Sequence, residues 1–95
     1  MPTDAPPLPL EGVRVVDLAD EKGELAGRIL ADLGAETIRV EPPAGARSRS
    51  LPPFDAEGRS LYFATRNANK LGLALDLEVE SDRGRLEDLL SRADV

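Results

Sequence analysis

Histidine and cysteine are both absent from the 95 residues. Without cysteine there is no disulfide, no thiolate metal site and no cysteine nucleophile, and without histidine the commonest metal ligand and general base is gone. No apolar run approaches the roughly 20 residues of a membrane span. The acidic, proline-rich start also lacks the basic and apolar regions of a signal peptide. These absences predict a cytoplasmic protein with no membrane partner. Basic charge is scarce as well. The net charge of −6 argues against nucleic acid, because binding a phosphate backbone needs a basic face. Neither a phosphate-binding loop nor a nucleophile elbow is present.

What is present is ordinary globular composition, 41% apolar and 32% charged, enough for one small domain. Eight prolines cluster in two places and set off residues 1–9 as a flexible arm and residues 42–60 as a long loop within a folded part covering 10–95. Charge is uneven. Between Pro42 and Leu71 stand five basic residues (Arg47, Arg49, Arg59, Arg66, Lys70) against two acidic ones (Asp55, Glu57). Such a patch suits the phosphates of a nucleotide-like cofactor; the plain alternative is a solvated loop.

The stretch Val13 to Glu41 organises the rest. Two β-branched runs flank a segment in which Leu25, Ala26, Ile29, Leu30 and Leu33 recur at helical spacing. Strand, helix, strand with so long a connection implies parallel strands joined by a right-handed crossover. The first strand is apolar on both faces and is expected to be central. The helix is expected to start near Gly23, with Asp20 or Glu21 as its cap, and to end at Gly34 in the left-handed conformation. Glu24, Arg28 and Asp32 should pair along its exposed face. In the second strand Ile38 and Val40 share one face, Thr37, Arg39 and Glu41 the other, so it should be less buried than the first. A short helix is expected over Ser60–Arg66, a turn at Asn67–Lys70 and a third strand over Leu71–Leu77. A last helix capped by Ser81 should carry Leu86, Leu89, Leu90 and Ala93 on one stripe. A fourth strand is expected to begin at Ala93–Val95, so the chain reads as the opening of a larger α/β domain with a parallel sheet and flanking helices.

In open parallel sheets ligands bind outside the carboxyl ends of the strands, which points to Asp17–Gly23. Asp17, Asp20 and Glu21 crowd there, either including a perturbed acid or base or, more plainly, with Asp17 accepting from the following turn and Asp20 and Glu21 as solvated helix-start residues. The outline also matches a dinucleotide-binding unit, with Glu41 in the place of the ribose-binding acid. That motif, however, needs three glycines at the turn, and Asp17–Gly23 has one.

Several blocks occur in order: Pro9–Leu18, Leu30–Glu41, Leu61–Phe63 with Asn67, Asn69 and Lys70, Leu73–Leu77 and Ala93–Val95. Together they resemble the N-terminus of family III coenzyme A transferases, the group of formyl-CoA transferase, carnitine CoA-transferase and α-methylacyl-CoA racemase. The resemblance implies a Rossmann-like fold that binds coenzyme A or acyl-CoA, interlocked dimers, and transfer between carboxylic acids through an aspartate. That aspartate lies beyond the part of the family matching Val95, so this chain alone is expected to be inactive, with the remainder of the fold or a second subunit completing the enzyme. Carried over residue by residue, Leu75 and Asp76 match the place of the adenine, Lys70 the lysine after the paired asparagines, and Arg39 the usual lysine of the second strand. The turn after the first strand departs from the family by being shorter and more acidic, and Pro42 and Leu71 replace basic residues. These departures support a second reading, a non-catalytic scaffold or partner-binding half.

Overall fold

A computed structural model describes residues 6–95; Met1–Ala5, and with them most of the expected arm, lie outside the described residues. The chain runs β1 (Arg14–Asp17), α1 (Glu24–Asp32), β2 (Glu36–Glu41), a 3-10 turn (Arg47–Ser50), α2 (Leu61–Arg66), β3 (Leu71–Ala74) and α3 (Glu80–Ser91). The three strands form one parallel sheet in the order β1-β2-β3, and its register sets Asp17, Arg39 and Gly72 side by side. The expected α/β class with a parallel sheet and flanking helices is what folds. None of the described helices is long and apolar enough to cross a membrane.

β2, not β1, is the middle of the three strands and the more buried, and the reason is its polar face. Thr37, Arg39 and Glu41 are all buried, because α1 presents Glu24, Gly27 and Ala31 to them rather than its leucines. Leu25 (44% exposed), Ile29 (50%) and Leu33 (41%) face outward. Helical periodicity located a stripe but not its direction: a carboxylate that meets Arg39 won the inner position. Glu24 is therefore not part of the exposed ladder; only Arg28 and Asp32 pair there, at 3.5 Å.

α1 begins after Gly23, as its spacing predicts, but no side chain caps it. Asp20 instead accepts from the Lys22 amide at 2.9 Å and tightens the turn. Gly34 takes φ +107, the left-handed exit expected of it. A Cβ at Gly34 would stand 2.5 Å from Leu8 Cβ, so the end of the arm seats against this turn. β3 is shorter than expected, Leu71–Ala74, and exposed throughout, with only the following Leu75 buried. The last helix is capped at Val79, with no side-chain bond from Ser81, and buries no residue.

Beyond α3 the chain returns to the free edge of β1. The amides of Asp94 and Val95 donate to the Arg14 carbonyl at 2.8 and 3.2 Å, and Val95 accepts from the Val16 amide at 3.0 Å. β1 thus has neighbours on both sides after all. α3 is therefore the connection between β3 and the free edge of β1.

Candidate functional site

At the carboxyl ends of the strands lies a cavity of about 440 Å³. Leu18 comes from the end of β1, Val40, Glu41 and Pro42 from β2, and Leu75 to Glu78 from the exit of β3. All three strands contribute because they are parallel and end at the same level, leaving the turns to splay apart. A smaller cavity of about 210 Å³ adjoins it, sharing Leu18, Val40 and Pro42 and adding the turn Ala19–Glu21, Arg39 and Arg47. Arg47 is 81% exposed along its side chain and holds Glu21 at 3.6 Å.

Beneath the turn lies a charged cluster. Lys70 Nζ donates to Asp17 Oδ2 at 2.6 Å, to the Glu24 carbonyl at 2.8 Å and to Asn67 Oδ1 at 2.9 Å. Arg39 donates to Glu24 through Nη2 at 3.1 Å, while its Nη1 stands 3.8 Å from Asp17 and donates to the Ala19 carbonyl. Glu24 is fully buried, and one of its oxygens takes donors from Arg39, Ser48 and Asn67. Asp17 also accepts from the Ala19 amide at 2.9 Å. Ala19 is therefore pinned from both sides, its N–H by Asp17 and its C=O by Arg39. The plain reading of Asp17 as an acceptor for its turn describes this geometry. Asp20 stays exposed, whereas Glu21 is half-buried.

Glu41 is committed as well. It accepts from the Ala46 amide at 2.6 Å and from Arg49 at 2.8 and 2.6 Å, and the Arg49 guanidinium lies 3.8 Å over the Phe63 ring. The Arg49 hydrogen bond, then the Ala46 amide and the nearby guanidinium charges, hold its carboxyl below the usual glutamate range against the opposing effect of burial. A dinucleotide unit would need this acid free for a ribose, and here Arg49 occupies it. The same bonds dock the loop 42–60, which Ser60 ties further by donating to the Leu51 carbonyl at 2.6 Å while capping α2.

Of the four residues singled out from the sequence, Leu75 and Asp76 line the larger cavity, Arg39 touches the smaller one from below, and Lys70 lies under the turn. They do not converge on one opening. The sequence placed Glu24 on an exposed face and Asn67 in a turn and gave no site role to Gly27, which completes the cluster, or to Leu18 and Leu77, which wall the cavity. The spacing of Glu24, Gly27 and Ala31 was the available signal, since one acid and two small residues at i, i+3 and i+7 make a narrow face suited to close approach.

Residues 10–95 match the family described as CoA-transferase family III. Among curated proteins, the chain is 38% identical over 103 residues to a probable fatty acyl-CoA transferase of Mycobacterium tuberculosis, covering 100% of this chain and 25% of that protein. It is 41% identical over 91 residues to a succinyl-CoA:mesaconate CoA-transferase of Haloarcula hispanica, covering 90% and 23%. Among solved structures, a CAIB/BAIF family protein from Brucella suis superposes with a TM-score of 0.85 at 36% identity, over 94% of this chain and 25% of that one. The chain thus spans about a quarter of the length of the relatives it matches.

Proposed function

The chain belongs to CoA-transferase family III, and from that membership we propose that the larger of the two adjoining cavities at the strand ends receives the adenosine end of coenzyme A or an acyl-CoA. The observation that carries the reading is the cavity itself, assembled from the ends of all three parallel strands and walled by Leu18, Val40, Leu75 and Leu77. Apolar walls with a few polar groups at the rim suit a purine, and the volume falls in the range of small-molecule sites. The pyrophosphate leads across Leu18 and Pro42 toward Arg47, the exposed cation of the adjoining cavity. Leu75 and Asp76 contact the ligand in this reading. Arg39 and Lys70 act one layer down, by holding Asp17, Glu24 and Ala19 where the turn must be.

In the whole protein, coenzyme A then moves between carboxylic acids, in the cytoplasm. The catalytic aspartate comes from the remainder of the fold or from a second subunit, and the segment described here binds without catalysing. One observation favours the scaffold instead: no lysine or arginine lines the larger cavity, and all three Lys70 protons are taken.

An NMR amide titration with coenzyme A, with NADH as control, separates the two. The binding reading expects shifts at Leu18, Leu75, Asp76, Leu77 and Arg47 with coenzyme A alone. Arg47→Glu should weaken that binding by roughly one to two decades, the worth of a charge-assisted hydrogen bond. Silence with both ligands in a folded sample would favour the scaffold.

A further inference from the structure

Resting on the reading of the two adjoining cavities as a coenzyme A site, we infer that Ser48 is a positioning residue for the ligand's phosphates. It lines neither cavity. It acts by fixing the stretch of backbone from which Arg47 projects into the smaller one.

Arg47 opens the 3-10 turn Arg47–Ser50. Such a turn takes three residues per revolution, so Arg47 and Ser50 share one side, and both are exposed. Ser48 lies on another side, is fully buried, and is gripped twice. Its Oγ donates to Glu24 Oε2 at 2.9 Å, while its carbonyl accepts from Ser60 Oγ at 3.0 Å and from the Leu51 amide at 3.1 Å. Glu24 is itself buried and shared with Arg39 and Asn67. The Ser48 hydroxyl is thus fastened to the charged layer between α1 and β2, not to another part of its own loop. The flanking residues Ala46 and Arg49 are both tied to Glu41, which anchors the loop as a whole. What Ser48 adds is an anchor at the residue next to Arg47.

Arg47 has little hold of its own, since it meets only Glu21, at 3.6 Å, from an exposed position. A long exposed cation on loose backbone gains little from an anion, because ordering the chain offsets the attraction. One whose backbone is already fixed has less freedom to lose when the anion arrives. The benefit reaches only the charged part of a ligand. It also holds whatever other groups contact the phosphates, because removing the anchor weakens the share that Arg47 contributes.

NMR titrations with coenzyme A and with adenosine, which carries no phosphate, test this. Ser48→Ala should weaken coenzyme A about three- to tenfold, the worth of one ordinary hydrogen bond, and leave adenosine unchanged. High salt should shrink the effect. Arg47→Gln should weaken coenzyme A at least as much, and adding Ser48→Ala to it should change little further, because the group being positioned is gone. Equal loss of both ligands in Ser48→Ala, from a weakened fold or otherwise, would make Ser48 a residue of the fold alone and overturn the inference. Additive losses in the double variant, or an Arg47→Gln protein that binds coenzyme A undiminished, would overturn it too, with the adenosine site still standing. Failure of the unaltered protein to bind either ligand would overturn the site, and the role of Ser48 with it.

Discussion

Lys70 has three protons, and each has a fixed acceptor inside the fold. Replacing it by methionine leaves Asp17 and the Glu24 carbonyl facing an apolar chain. Breaking a buried pair from one side costs about 3 to 5 kcal/mol, a large share of the roughly 5 to 15 kcal/mol a domain possesses. Urea unfolding of Lys70→Met should show a loss of that order. Adding Asp17→Asn should cost less than the sum of the two single changes, because the uncompensated charge then disappears. Glu41 makes a different, pH-dependent contribution. Its carboxyl is held low by Arg49, so the unfolded chain takes up its proton first as the pH falls. The stability it supplies is complete above the ordinary glutamate range and is lost as the pH drops through the lowered native value. Between about pH 5 and pH 3 the urea midpoint of the protein should fall more steeply than that of Glu41→Gln.

At the level of elements, α1 lies close to β1 because Gly27 has no side chain. A Cβ there would overlap Asp17 Oδ2 and stand 3.1 Å from Lys70 Cε. Alanine would gain about 1 kcal/mol of helix propensity. Overpacking costs about 1 to 3 kcal/mol, and the carboxylate it meets is held by Lys70 and cannot swing away. Gly27→Ala should therefore lower the thermal midpoint despite the better helix former. α3 is the opposite case. It buries no residue and is tied mainly at its ends, by Asp82 to the Asp76 amide and by Asp94 and Val95 to β1. Amide exchange should accordingly be faster at Leu89 and Leu90 than at Val15 and Val16; equal protection would mean that α3 is packed as firmly as the sheet.

Across the whole molecule the distribution of polarity is unusual, and it explains which features could be read in advance. The buried apolar residues are few and small, with Ala31, Ala35 and Ala46 beside Val15, Val40 and Leu75. The layer between α1 and the sheet is built of ions. Parallel strands, the order of elements, the turn at Gly34 and the family all follow from local pattern, because periodicity, glycine conformation and ordered blocks are properties of neighbouring residues. Alternation alone runs the third strand on to Leu77, and only the family resemblance sets Leu75 and Asp76 at its end, which falls at Ala74. Which face of α1 turns inward could not be read this way. Leu25, Ile29 and Leu33 have the stronger apolar signal, yet Glu24 is buried because Arg39, fifteen residues away in the chain, is fixed opposite it by sheet register. Nor could local pattern show that Lys70 is occupied, since its acceptors come from β1, α1 and the turn before β3. Local chemistry determined the elements and their order; the meeting of charges distant in sequence, which only the tertiary fold brings within hydrogen-bonding reach, decided which cations are structural and where the cavity opens.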